Sequence, residues 1–278
     1  MRYVRKGVGI DGPIMQFVQA GHNLMLSVGS YVMFLGTLRE VVLRAGRESM
    51  SPSASGAFGS VTFLFCETTG SVATGPLYFW SYVYYLSKYY ELIDTVLQLC
   101  KGRAPPHFFL HVYHHATVLL MSWFWCEYCQ VRAVRGESSK PLAQEHIWSQ
   151  LPPPLQTLQW IGLCFNAAVH VVMYYYYFRS VLKLPTPWKR FVTQFQIIQF
   201  GFSLLCFLAT LGLLLSGASC EGTKPLLFNL IFNLTLLWQF VELLRGSKAG
   251  GCGDDRGKLV SDLPMMTRQR SKNVKKVQ

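Results

Sequence analysis

The chain has 278 residues, of which 51% are hydrophobic and only 14% are charged, against about 25% charged residues in soluble domains. Together with a mean hydropathy of +0.24, this composition indicates a polytopic membrane protein and excludes an ordinary soluble domain. The net charge of +12 comes from Lys and Arg that lie between apolar blocks and at the chain ends. A nucleic-acid-binding face needs such residues clustered, so we expect no nucleic acid partner.

Six apolar segments follow one another along the chain. Each has roughly 19–26 residues, the length that crosses a hydrocarbon core of about 30 Å. They predict an all-α, polytopic bundle in which two antiparallel three-helix units surround a substrate tunnel. The predicted transmembrane helices cover residues 16–38, 76–99, 107–128, 158–178, 191–216 and 226–244, with long loops at 44–75 and 131–156. Residues 1–15 are predicted to be a cytosolic flank, residues 16–244 the membrane domain, and residues 245–278 a basic, disordered tail.

The positions of the basic residues orient this bundle. Cytosolic loops of membrane proteins carry an excess of Lys and Arg. If the N-terminus is cytosolic, the cytosolic loops and tail hold most of these residues and the opposite loops hold only six. We therefore expect both termini in the cytosol, with the substrate tunnel open on that side. The six residues of the opposite side are Arg44, Arg47, Arg132, Arg135, Lys140 and Lys224.

Polar side chains reach a common depth in four of the predicted helices. His111, His114 and His115 have the spacing i, i+3, i+4, which places them on one helix face. At about 1.5 Å per residue, His114 and His170 both lie roughly 12 Å inside the cytosolic ends of their helices. Since ionisable residues within a membrane are costly and usually functional, we expect a reaction chamber in this layer. Carboxylates and amides at similar depth are Glu91, Asp94, Gln196 and Gln199.

Three chemistries could use such a chamber. A di-iron desaturase or hydroxylase needs about eight imidazole ligands, whereas the chain has seven histidines in all. Of these, His22 and His107 are predicted near the cytosolic ends of their helices, and His146 lies in an outer loop. A zinc ion bound by His111, His115 and His170 would lack an accompanying general base. A metal-free nucleophilic imidazole for acyl transfer fits the residues best, and a non-catalytic lipid transporter stays an alternative.

Four motifs resemble those of one known family. Lys88-Tyr-Tyr-Glu91-Leu-Ile-Asp94-Thr95 resembles the KxxExxDT motif of the ELO fatty-acid elongases, the membrane very-long-chain 3-ketoacyl-CoA synthases. The segment 111–115 is similar to their HxxHH histidine box, 166–174 to their NxxxHxxMY motif, and 193–199 to their TxxQxxQ motif. The resemblance covers about residues 17–244. Members of that family usually have seven helices, and we expect the first of them to be missing here.

The resemblance implies condensation of an acyl-CoA with malonyl-CoA to give a 3-ketoacyl-CoA, CoA and CO2. It implies that His114 accepts the acyl group as an acyl-imidazole, with His170 opposite and Asn166 orienting. His111 and His115 would support them. It implies a second set of residues that bind substrate, some of which could equally be structural: Lys88, Glu91, Asp94, Gln196, Gln199, Tyr174, Arg179 and Lys183.

The resemblance also bears on partners and cofactors. It implies no cofactor beyond the two CoA substrates. The expected partners are the lipid bilayer and the other enzymes of the elongation cycle, namely a ketoreductase, a dehydratase and an enoyl reductase. It is compatible with a homodimer. Neither the preferred acyl chain length nor the oligomeric state can be read from these motifs.

Two further features concern the compartment. Cys66 and Cys220 both fall in outer loops, where an oxidising lumen favours disulfides, so we predict that they are bonded to each other. Lys275 and Lys276 occupy positions −4 and −3 from the C-terminus, which resembles a dilysine retrieval signal. The sequence therefore predicts a multi-pass protein of the endoplasmic reticulum membrane.

Overall fold

The computed structural model of the chain describes residues 12–50, 59–66, 76–102, 107–135, 158–218, 220 and 223–249. Every regular element within these residues is helical, which confirms the predicted all-α fold. Residues 1–11 of the predicted cytosolic flank, much of both long loops, and the tail from residue 250 with its dilysine lie outside the described residues. A short 3-10 helix covers Gly59–Leu64, and the α-helices are α1 (Pro13–Ser49), α2 (Pro76–Glu91), α3 (Ile93–Cys100), α4 (Phe108–Arg135), α5 (Gln159–Val181), α6 (Lys189–Leu215) and α7 (Thr223–Ala249).

The helices form a closed ring. Going round it, α1 packs against α2, α2 against α4, α4 against α7, α7 against α6, α6 against α5, and α5 against α1. One unit comprises α1, α2 with α3, and α4, and the other comprises α5, α6 and α7. Neighbours in the ring run antiparallel, as the sequence predicted for two three-helix units. The two units meet between α1 and α5, the most extensive helix contact, and between α4 and α7.

The two ends of the ring differ in chemistry. At one end, which we call the basic end, lie the connections that carry Lys101, Lys183 and Lys189. At the opposite end, which we call the disulfide end, Cys66 and Cys220 form a disulfide bond with 5.0 Å between their Cα atoms. This bond links the loop after α1 to the connection between α6 and α7. It therefore joins the two three-helix units covalently.

The outer surface of the ring is apolar. Within the described residues, α1, α5, α6 and residues 226–245 of α7 are long and apolar enough to cross a membrane. Phe17, Leu205 and Trp238 are more than 60% exposed on this surface, where lipid is the natural solvent. The helices α2 and α4 carry the ionisable residues of the predicted chamber, which lowers their mean hydropathy. The chain is thus a multi-pass membrane protein.

The second predicted helix is present and is interrupted only by one tightened turn at Leu92, whose backbone angles stay helical (φ −62°, ψ −20°). α2 ends at Glu91, and α3 begins at Ile93 after a turn at Leu92. No proline or glycine occurs in this segment to indicate the turn. The amide of Leu92 bonds to the carbonyl of Tyr89 three residues earlier, at 3.1 Å. This tightened turn accompanies the burial of Glu91, which is 1% exposed.

Three helices continue several residues beyond their predicted ends. α1 continues through Arg44, where the loop was expected, to Ser49, and the Arg44 guanidinium bonds to the Glu48 carboxylate at 2.9 Å. α4 extends to Arg135, and α7 extends past Arg245 to Ala249. The predictions ended where the apolar pattern ended, but a helix can continue into water when its backbone and charged side chains stay paired.

The first two helices approach each other closely near the disulfide end. The ring of Trp80 on α2 fills the space beside Gly36 that a Cβ atom would occupy. Next to this contact, Phe63, Leu77 and Trp160 form a buried apolar cluster that joins the 3-10 helix, α2 and α5. Gly36 is therefore required by packing, and the cluster seals the disulfide end on this side of the ring.

Candidate active site

A buried ion pair links two motifs inside the ring. Lys88 and Glu91 on α2 are each 1% exposed, and the Lys88 Nζ donates to Glu91 Oε1 at 2.7 Å. The same ammonium lies 4.2 Å from the centroid of the Tyr84 ring. Because a charge buried in a membrane protein must be compensated, the i, i+3 spacing of this pair explains why both residues tolerate the interior.

The ion pair contacts α5 through two side chains. The Lys88 Nζ also donates to Asn166 Oδ1 at 3.2 Å, and the Tyr84 hydroxyl donates to the same oxygen at 2.9 Å. Glu91 Oε1 lies 3.3 Å from Nδ1 of His170, which is 4% exposed. The motif residues of α2 therefore hold Asn166 and His170 of α5 in fixed positions.

A second polar group lies nearer the basic end. His22 Nε2 is 2.8 Å from Asp94 Oδ1, and the Tyr174 hydroxyl donates to Asp94 Oδ2 at 2.9 Å. His22 is 6% exposed and lies in the part of α1 near the basic end, where the sequence placed it, although its pairing with Asp94 was not predicted. Asp94 thus connects α1 and α5 through both of its oxygens, which gives this carboxylate a structural role in the ring.

The histidine box presents its three imidazoles differently. His111 Nε2 lies 2.8 Å from the Thr95 hydroxyl oxygen on α3. The rings of His111 and His115 are 4.4 Å apart, and those of His114 and His115 are 5.6 Å apart. His114 lines the internal cavity, and its Nδ1 is buried with no hydrogen-bond partner among the described residues. His114 is therefore the member of the box that is available to a substrate.

An internal cavity of about 90 Å³ lies inside the ring. His114, Asn166 and Gln199 lie along its wall, and Leu158 lines it near the disulfide end. Much of its length is apolar. Its apolar wall with a few polar groups suits the hydrocarbon portion of a small-molecule substrate. The apolar wall includes Val118, Phe165, Phe200, Phe202 and Phe232.

The structure brings some of the predicted site residues to this cavity and not others. His170 lies behind Asn166 in the network and does not line the cavity, although it is within electrostatic range of His114. Gln196 donates to the sulfur of Met173 at 3.3 Å. Arg179 and Lys183 lie at the basic end, about 14 Å or more along the chain direction of α5 from His170.

Neither Arg179 nor Lys183 is part of the chamber, because Arg179 bonds to the connection after α5 and Lys183 is exposed. The Arg179 guanidinium donates to the carbonyl of Pro185 at 3.1 Å and lies 5.2 Å from the ring centroid of Trp188. Lys183 is exposed and adopts a left-handed φ of 58° in the turn after α5. Both residues could meet a substrate only where it emerges from the ring.

Sequence reasoning missed Tyr84 and Gln159. Tyr84 precedes Lys88 by four residues, so helical spacing alone would have placed it on the same face. Gln159 looked like an ordinary polar helix start, yet it lines the cavity near the disulfide end. Within the described residues, no group of three or more His, Cys, Asp or Glu side chains converges as ligands of one metal ion would.

The sequence of this chain matches one protein family and several fatty acid elongases. The ELO model, described as the GNS1/SUR4 family, matches residues 3–135 and 146–247. A putative fatty acid elongase of Dictyostelium discoideum is 35% identical over 211 residues, which cover 76% of this chain and 56% of that protein. Fatty acid elongase sre1 of the same organism is 30% identical over 189 residues, covering 68% of this chain and 56% of the relative.

A more distant relative aligns over a larger share of its own length. Fatty acid elongase 4 of Trypanosoma brucei brucei is 26% identical over 244 residues, which cover 87% of this chain and 82% of that protein. The matched part of this chain spans just over half the length of the two Dictyostelium proteins.

Proposed function

The chain belongs to the ELO family, described as the GNS1/SUR4 family, and on that premise we propose that it is a fatty acid elongase. The reaction is the decarboxylative condensation of a fatty acyl-CoA with malonyl-CoA, which yields a 3-ketoacyl-CoA, CoA and CO2. The observation that carries this proposal is a buried imidazole, that of His114, on the wall of one long and largely apolar cavity.

In the first step, a nitrogen of the His114 imidazole attacks the thioester carbonyl of the acyl-CoA. The carbon–sulfur bond breaks, CoA leaves as a thiolate and takes up the proton, and an acyl-imidazole is formed. The nucleophile must be neutral for this attack, and the apolar surroundings of the cavity favour the neutral form over the charged one. The acyl chain then lies along the apolar wall.

In the second step, malonyl-CoA loses CO2 and the resulting enolate attacks the acyl carbon. The bond from that carbon to the imidazole nitrogen breaks, and the nitrogen takes up a proton from solvent, which restores neutral His114. Asn166 supports this step through its amide group. Its Oδ1 accepts hydrogen bonds from Lys88 and Tyr84, so the amide NH2 is the end that faces the cavity and can donate to the enolate oxygen. Gln199 offers a second amide on the same wall.

His170 and Glu91 position this machinery. A carboxylate oxygen 3.3 Å from Nδ1 favours the tautomer that carries its proton on Nδ1 and leaves Nε2 as an acceptor. Because His170 does not line the cavity, it can accept or return a proton as general base through one intervening water or substrate group. Lys88 neutralises Glu91, and this pair holds the network in place in the apolar interior.

The compartment and partners belong to the same proposal. The endoplasmic reticulum membrane is the location, with both termini in the cytosol and the basic end facing that side. The Cys66–Cys220 disulfide at the opposite end supports a lumenal position for that end, because the lumen is oxidising. The partners are the ketoreductase, dehydratase and enoyl reductase of the elongation cycle and a second copy in a homodimer, and no cofactor beyond the CoA substrates is used.

The test is an assay of membranes that contain the full chain, with labelled malonyl-CoA and a panel of acyl-CoAs. Label is expected in 3-ketoacyl products. The variant His114→Asn is expected to lose at least about a hundredfold in rate, as removal of a covalent nucleophile does. His107→Asn is the matched control, because His107 is exposed at the start of α4 and Asn tolerates its left-handed backbone. Equal activity of the two variants would contradict the assignment of His114 as the nucleophile.

A further inference from the structure

The end of the cavity near the disulfide bond carries polar side chains. The hydrocarbon tail of an ordinary acyl chain makes no hydrogen bonds and does not need them. Gln159, the first residue of α5, is 8% exposed and lines the cavity near the disulfide end. Its Oε1 is buried without a hydrogen-bond partner among the described residues. A buried carbonyl oxygen that lacks a donor is costly, so this oxygen points to a ligand or solvent group that supplies one.

A second acceptor lies across the cavity on α4. Ser122 is 4% exposed, and its hydroxyl donates to the carbonyl of Val118 at 2.7 Å. Because its hydrogen is used in that bond, the oxygen can only accept from a group in the cavity. On α7, the Asn233 amide donates to the backbone and side-chain oxygens of Asn229, each at 2.7 Å. This end of the cavity therefore presents two acceptors, Gln159 Oε1 and the Ser122 oxygen, beside the amide NH2 of Asn229, whose own oxygen is occupied by Asn233.

Both acceptors lie on the side of the histidine layer that faces the disulfide end. Ser122 is eight residues beyond His114 on α4, which corresponds to about 12 Å along the helix. Gln159 is eleven residues from His170, the residue level with His114, or about 16 Å in the same direction. Between the nucleophile and these acceptors the wall is apolar, with Val118, Phe200 and Phe232. The cavity thus has a reactive end at His114, an apolar middle, and a polar end at Gln159 and Ser122, which we call the floor.

We propose that this floor binds a hydroxyl group at the ω end of the acyl chain, so that the substrate class is ω-hydroxyacyl-CoA. This inference rests on the proposed elongase function. A terminal hydroxyl donates one hydrogen to Gln159 Oε1 or to the Ser122 oxygen, whereas a terminal methyl leaves Gln159 Oε1 without a donor. A terminal carboxylate does not fit, because it is an acceptor and carries charge.

The experiment uses membranes containing the full chain, labelled malonyl-CoA, and two acyl donors of equal length, ω-hydroxydecanoyl-CoA and decanoyl-CoA. One hydrogen bond to an otherwise unpaired oxygen corresponds to a preference on the order of tenfold in initial rate at low substrate concentration. In Gln159→Leu the ratio of the two rates is expected to fall to about one. The matched control is Gln239→Leu, since the Oε1 of Gln239 is also unpartnered among the described residues but does not line the cavity.

Ser122→Ala on a separate helix covers the case in which Gln159→Leu fails to fold, and it should lower the same ratio. Faster or equal turnover of decanoyl-CoA by the unsubstituted protein would overturn the inference and leave elongation intact. A ratio unchanged in both cavity variants would overturn it as well. Absence of labelled product from either donor and from a wider acyl-CoA panel would overturn the elongase function together with the inference.

Discussion

Substitution of Lys88 by Met tests the role of the buried ion pair. The Lys88 Nζ lies 2.7 Å from Glu91 Oε1, and the two side chains are only 1% and 2% exposed. Exposed pairs contribute about 0–1 kcal/mol, but here the lost partner leaves a carboxylate uncompensated in an apolar interior. The structure therefore predicts that Lys88→Met lowers the free energy of unfolding by about 3–5 kcal/mol.

The double variant Lys88→Met/Glu91→Leu separates architecture from chemistry. With both charges removed, the penalty for an unpaired carboxylate disappears, so most of the lost stability should return. Condensation activity should not return with it. His170 has lost the carboxylate beside its Nδ1, and Asn166 has lost one of the two donors to its Oδ1.

The assay is thermal unfolding of the detergent-solubilised protein, run beside the labelled malonyl-CoA assay on membranes. The expected order of stability is the unsubstituted protein, then the double variant, then Lys88→Met well below both. If the double variant is no more stable than Lys88→Met, the reasoning about an uncompensated charge is refuted. A double variant that elongates at the unsubstituted rate would show that the network is structural only.

Two further predictions concern the packing of the disulfide end. Gly36→Ala should destabilise the protein by about 1–3 kcal/mol, because the new methyl group meets the Trp80 ring. Gly29→Ala, where nothing lies within 4 Å of the added carbon, should be neutral or stabilising, and thermal unfolding of the pair checks both. Cys66→Ser should cost about 2–5 kcal/mol, because it opens a link between residues 154 apart in the sequence. Reductant should lower the melting temperature of the unsubstituted protein and leave Cys66→Ser unaffected.

The histidine layer was predictable because membrane burial makes polar residues conspicuous. Within apolar segments, the i, i+3, i+4 spacing of the histidine box and the common depth of His114 and His170 follow from helix geometry alone. The carboxylates of α2 and α3 were found for the same reason. The ring that joins these helices was anticipated as two three-helix units, since short connections favour antiparallel neighbours.

What could not be predicted depends on contacts between helices that are distant in the sequence. His22 bonds to Asp94, 72 residues away, and no local pattern relates the two. The turn at Leu92 has no proline or glycine to mark it. The position of Gln159 on the cavity wall together with Ser122 is known only from the structure. A Gln at the first position of a helix gives no such signal in a sequence.

The most direct test of the account is to detect the acyl group on His114. The full-length protein is incubated with an acyl-CoA and no malonyl-CoA, digested, and analysed by mass spectrometry. We expect the peptide containing His114 to gain the mass of one acyl group, to lose it when malonyl-CoA is added, and to stay unmodified in His114→Asn. An adduct on a cysteine instead, or 3-ketoacyl product formed at the full rate by His114→Asn, would contradict the acyl-imidazole mechanism.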